Sequence, residues 1–67
     1  MTGNRIRERR IALRLSQVQL GVLTGIPNSM ISDFELEKRK PWPKARKAIA
    51  EALELTEAEL FGNNADH

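Results

Sequence analysis

Residues 16 to 35, SQVQLGVLTGIPNSMISDFE, hold a helix start, a stop and a restart within twenty positions. Ser16 and Gln19 have the spacing of a capping box, in which the hydroxyl takes the third helical amide and the glutamine returns to the cap amide. A helix therefore begins at Gln17 and carries Leu20 and Leu23. It stops at Gly25, because glycine accepts the left-handed backbone that follows a helix end. The next helix spans 28 to 37, with Ile31, Phe34 and Glu35 on its inner side. A joint of about three residues between two helices forces a steep crossing. Gly21, four residues before Gly25, supplies the close approach such a crossing needs. Whatever fold this chain adopts must contain that crossing.

Helical periodicity continues on both sides. Ile6, Arg10 and Leu13 form one stripe of a first helix over roughly 4 to 14. Arg10 stands where an apolar residue is expected, and a buried unpaired guanidinium is too costly to keep. Glu35, the charged residue on the inward stripe of the third helix, is its natural partner. In KRKPWPK two prolines end the pattern, and Pro43 suits the first position of a fourth helix carrying Ala45, Ala48, Ile49, Ala52 and Leu53. Thr56 and Glu59 form a second capping box, opening a short fifth helix with Leu60 and Phe61 that ends at Gly62. No stretch alternates in the manner of a strand. The expectation is an all-α, compact five-helix bundle over 1–62, followed by a disordered polar tail at 63–67.

Composition excludes several functions. At 67 residues the chain makes one domain, and a domain this size buries about 60% of its unfolded surface. It has no cysteine, and its one histidine, His67, cannot build a metal site alone. There is no nucleophile–base pair, carboxylate dyad or phosphate-cradling glycine loop, so neither an enzyme nor a cofactor is expected. No apolar run approaches the roughly 18 residues of a membrane span, and no signal peptide opens the chain. A soluble, cytoplasmic protein is expected. Its charge is divided: residues 1 to 47 carry all eleven Lys and Arg and a balance of +7, whereas 51 to 67 carry −5. A basic face for a polyanion and a separate acidic end follow from such a division, with plain solvated surface as the alternative.

The ordered set Gln17, Leu20, Gly21, Gly25, Ile26, Ile31 and Phe34, then KRK and the closing LTEAELFG, resembles the helix-turn-helix of lambda-repressor-like and Cro-type proteins, the XRE family. The resemblance runs from about Ile6 to Phe61. It implies that helix three enters the DNA major groove, with Asn28, Ser29, Ser32 and Asp33 as candidate base contacts. It implies phosphate contacts by Gln17, whose helix N-terminus suits an anion, and by Lys38, Arg39 and Lys40 in the following loop. Gln17 would also brace Asn28. The buried Arg–Glu pair recurs in relatives, matching Arg10 and Glu35, and Gly25 is the turn. Arg5, Arg7, Arg9 and Arg14 would add general attraction.

The chain departs from the family at several positions. Pro27 stands where Ser or Thr usually caps helix three, so either Ile26 caps and Pro27 is the first helical residue, or Asn28 caps and is lost as a base reader. Gly21, Thr24 and Arg46 replace the commoner Ala, an aliphatic residue and Leu, and the first two loosen the motif. At about 100° per residue, Ser29 and Asp33 lie opposite Ile31, Phe34 and Glu35, with Met30 and Ser32 on the flanks. Met30 fills an interhelix gap or meets a thymine methyl. A carboxylate at Asp33 either accepts from cytosine N4 or is neutralised by a nearby Lys or Arg. Trp42, the single tryptophan, is expected as a lid over the core, with a dimer contact or stacking on DNA as the alternatives.

These features indicate a sequence-specific DNA-binding regulator, a bacterial or phage repressor occupying its operator. A homodimer would read a palindromic site with half-sites about 34 Å apart. Leu55, Leu60 and Phe61 are candidates for its interface, unless Phe61 closes the core. The alternative is a protein-binding regulator, such as an antitoxin or antagonist, that binds DNA for autoregulation and offers its acidic end to a basic partner. The chain could also be one domain of a longer protein, although Met1 and the polar end fit a whole chain.

Overall fold

A computed structural model describes residues 4–62; the tail expected at 63–67 lies outside them. Five helices follow in order: α1 (Ile6–Ala12), α2 (Gln17–Thr24), α3 (Asn28–Glu35), α4 (Pro43–Leu53) and α5 (Glu57–Phe61). The two capping boxes open α2 and α5 in full. The Ser16 hydroxyl accepts from the Gln19 amide at 2.9 Å, and the Ser16 amide donates to Gln19 Oε1 at 2.8 Å. Thr56 and Glu59 repeat this at 3.0 and 2.8 Å. The Thr56 amide, with its hydroxyl beside it, lowers the Glu59 pKa below the ordinary glutamate value. A depressed carboxylate stabilises above the unfolded-state pKa, so this cap is complete there and fades as pH falls through the lowered folded-state value. Pro43 opens α4 as its first residue.

Helix ends are tighter than the periodicity indicates, and glycine is not their main device. Arg14, Glu37 and Glu54 all have positive φ, near +60°. Each ends a helix with a paired return of amides. Leu15 and Arg14 donate to the carbonyls of Arg10 and Ile11, Lys38 and Glu37 to those of Asp33 and Phe34, and Leu55 and Glu54 to those of Ala50 and Glu51. This is the Schellman pattern, and it satisfies carbonyls the helix would otherwise leave open. It stops α1 at Ala12 rather than 14 and α3 at Glu35 rather than 37.

Ile6, Leu20, Ile26, Ile31, Phe34, Ala45, Ile49, Ala50, Leu53, Leu60 and Phe61 make one core, with Met30 packed against it. Leu60 and Phe61 are interior, which removes them as a dimer surface; Leu55 is half-buried against the same core. Helix α5 is too short to spare its two large apolar side chains from so small a core. Leu20 of α2 is buried but Leu23 is 60% exposed, while Ala50 of α4 is buried. Trp42 meets Phe34 edge-on, centroids 5.6 Å apart, yet stays 44% exposed, so it borders the core more than it covers it. Arg46, at the position where leucine is common, lays its guanidinium 4.8 Å from the Phe61 ring and donates to Glu57 at 3.2 Å. Among the described residues, no helix is long and apolar enough to cross a membrane.

Gly21 is required rather than tolerated. A Cβ there would lie 2.7 Å from the Ile26 backbone oxygen, where α2 turns back toward α3. Thr24 also holds the turn, donating to the Leu20 carbonyl at 2.8 Å and accepting from the Ile26 amide at 3.3 Å. Both departures from the family tighten the motif.

Two substitutions with opposite signs check this account. Gly21→Ala improves helix propensity yet should lower stability by about 1 to 2 kcal/mol, because backbone must move. Glu54→Gly relieves an exposed left-handed residue and should raise stability by about 0.5 to 1 kcal/mol. Urea midpoints at unchanged m-value measure both.

Candidate nucleic-acid interface

The orientation of α3 is set from beneath. Arg10 Nε donates to Glu35 Oε2 at 2.6 Å and Nη2 to Oε1 at 3.2 Å, while Nη1 donates to the Leu15 carbonyl at 2.8 Å. The side chains are 11% and 3% exposed. A fork-to-carboxylate pair of this kind fixes position as well as charge. Gln17 joins it, its amide donating to Glu35 Oε1 at 3.2 Å. Gln17 therefore braces Glu35 at the far end of α3 and not Asn28 at its start, because the carboxylate is the stronger acceptor within reach. Among the described residues, no buried side-chain polar atom lacks a partner.

The start of α3 differs from both readings of Pro27. Pro27 itself is the N-cap, with φ −57° and ψ 143°, and its carbonyl accepts from the Met30 and Ile31 amides at 3.0 Å each. An N-cap needs an extended backbone and a carbonyl, both of which proline supplies, and its missing N–H costs nothing there. Asn28 is thus the first helical residue, exposed, and its side chain does not cap the helix.

Above this frame, Asn28 and Ser29 are exposed and Ser32 and Asp33 half-buried, while Ile31, Phe34 and Glu35 point inward. The joint at Gly25 has φ 74° and the Gly25 amide donates to the Gly21 carbonyl at 2.7 Å. Lys38, Arg39 and Lys40 are exposed in the loop beyond α3. Arg39 Nε lies 3.7 Å from Asp33 Oδ2, so the outward carboxylate has a cation beside it. The outward edge of α3 therefore carries hydroxyls, an amide and one carboxylate with a cation beside it, bordered by the positive charge of the loop.

The amino-terminal arginines divide. Arg9 Nε donates to the Leu53 carbonyl at 2.9 Å, closing the end of α4, and Arg5 pairs with Glu8 at 3.2 Å on the surface. Asn4, which carried no signal in the sequence, donates to the Phe34 carbonyl at 3.0 Å and accepts from the Ile6 amide at 3.1 Å. It ties the start of α1 to the end of α3. Among the described residues, no group of three or more His, Cys, Asp or Glu could hold a metal ion.

Comparison with known proteins agrees with this geometry. A family model described as helix-turn-helix matches residues 6–60. A crystal structure of the P22 c2 repressor protein in complex with synthetic operator 9T, in the presence of Tl+, superposes with a TM-score of 0.82 at 34% identity, covering 91% of this chain and 94% of that one. No curated protein matches the sequence.

The buried pair generates a sharp expectation. Glu35→Ala strands the Arg10 guanidinium and should cost about 3 to 5 kcal/mol, whereas Arg10→Met with Glu35→Leu should cost far less. Thermal and urea unfolding of the three chains measure the difference; equal losses would show that the charges contribute no mutual term.

Proposed function

The chain belongs to the helix-turn-helix family of lambda-repressor-like and Cro-type proteins, and from that premise we propose that it is a repressor that occupies a palindromic operator as a homodimer. The family is one of DNA-binding, non-enzymatic domains, and the role of a DNA-binding transcriptional regulator follows from it. Base contacts fall to Asn28, Ser29, Ser32 and Asp33, and phosphate contacts to Gln17, Lys38, Arg39 and Lys40. The observation that carries it is the outward polar edge of α3 beside a cationic loop.

The division of labour follows from what each partner offers. Major-groove base edges present a pattern of donors and acceptors that hydroxyls, amides and carboxylates can match, while phosphates offer charge at every step. Asn28 is free to read because Pro27 takes the cap. Gln17 keeps its backbone amide at the start of α2 for a phosphate, even with its side chain on Glu35. One helix of this length reads few bases, so two copies on a two-fold site supply the rest. With Leu60 and Phe61 inside the core, the homodimer must use surface outside them.

One observation favours protein binding as a second activity. Val18, Val22 and Leu23 leave apolar surface exposed on α2, and Leu23 borders a shallow groove with Ala48, Ala52, Glu51 and Glu54.

A selection from randomised duplexes tests the main reading. The wild-type chain should enrich a symmetric site with half-sites about one helical turn apart. Ser29→Ala with Asp33→Ala should lose that preference by about 10-fold or more, at about 1 to 3 kcal/mol per good base contact, with an unchanged melting curve. Absence of any enriched site, or the same consensus from the variant, contradicts the assignment.

A further inference from the structure

We propose that Asp33 is a discrimination residue that withholds Arg39 from the generic phosphate backbone. The inference rests on the DNA-binding reading above and changes the role of one residue in it. Arg39 becomes a conditional phosphate contact rather than a constant one.

The geometry begins with the end of α3. Glu37 takes φ 59°, and the Lys38 amide returns to the Asp33 carbonyl at 2.9 Å. This turn folds the chain back so that residue 39 comes beside residue 33. There Arg39 Nε sits 3.7 Å from Asp33 Oδ2, with both side chains open to solvent at 55% and 36% exposure. Among the described residues, neither Lys38 nor Lys40 has such a carboxylate. One cation of the loop therefore has a carboxylate beside it, and among the described residues its two neighbours form no ion pair.

A carboxylate is an acceptor with no donor of its own. On the outward side of α3 it faces a polyanion, and the pair with Arg39 is what makes it tolerable there. A duplex bound without a fixed register holds no base amino group against the carboxylate, so the pair stays closed and Arg39 releases no counterion. Where a base pair offers the cytosine N4 amino group, that donor competes for the carboxylate. Arg39 is then released to a neighbouring phosphate. The two roles open to Asp33 from sequence, cytosine acceptor and neutralised anion, become successive states of one pair.

Counterion release makes this measurable, since each phosphate neutralised adds about 0.9 to the slope of log K against log salt. The slope is read by fluorescence anisotropy on a duplex of scrambled sequence and on the selected operator. On scrambled duplex, Asp33→Asn should steepen the slope by about 0.9, a gain about 3.5-fold larger at 50 mM than at 200 mM salt. Arg39→Ala should leave the scrambled-duplex slope unchanged in the wild-type background, yet remove about 0.9 in the Asp33→Asn background and on the operator. Loss of about 0.9 on scrambled duplex in both backgrounds would make Arg39 a permanent phosphate contact and overturn the proposal. Additive effects of the two substitutions would reduce Asp33 to simple repulsion and overturn it equally. Failure of the wild-type chain to bind any duplex is a separate result, which removes the DNA-binding reading itself.

Discussion

Arg10 and Glu35 hold the geometry on which everything else depends. Their two hydrogen bonds, at 2.6 and 3.2 Å, join the middle of α1 to the end of α3. Gln17 adds the start of α2 to the same carboxylate. Three helices thus converge on one buried group, and the inward side of α3 cannot rotate without breaking it. Apolar contacts alone would allow α3 to slide or turn by small amounts, because dispersion and burial have little direction. A buried fork-to-carboxylate pair does not allow this, since a misplaced partner leaves a charge uncompensated. Fixing the inward side of α3 also fixes Asn28, Ser29 and Asp33 on its other side.

The second constraint is the closeness of α2 and α3. Gly21 lets the Ile26 carbonyl approach to a distance no Cβ allows, and Thr24 bonds on both sides of the turn. The joint is held by backbone shape, the ion pair by charge. Each restrains a different end of α3, so its position is determined by two independent sets of atoms.

Local signals were legible in the sequence. The boxes at Ser16 and Thr56, the stop at Gly25 and the start at Pro43 each depend on residues within one turn, and with the apolar stripes of the first and third helices they account for all five helices. Glu35 and Arg10 were legible for another reason: a charge on an apolar stripe demands a partner, and one other inward stripe held one. What escaped depended on tertiary context. Nothing in Arg14, Glu37 or Glu54 announces a left-handed backbone, which the packing beyond each helix imposes. Asn4 bonds to a carbonyl thirty residues away, so spacing could not reveal it. Leu60 and Phe61, candidates for a dimer interface from sequence, are taken by the core of so small a domain. The two readings of Pro27 miss by one position in opposite directions, because the backbone carbonyl of proline itself serves as the cap. Of the candidate interface, the residue types and the helix were legible. The link between Asp33 and Arg39 required the turn at Glu37, and so was visible only in three dimensions.

The central claim is that the outward edge of α3 and the loop beyond it meet DNA while the other faces do not. Amide shift mapping by nuclear magnetic resonance, on titration with the selected duplex, tests it most directly. The account predicts the largest changes at Gln17, at 28 to 33 and at 38 to 40, with α4 and α5 nearly silent. Large changes around Leu23, Ala48, Glu51 and Ala52, with residues 28 to 33 unmoved, would contradict it.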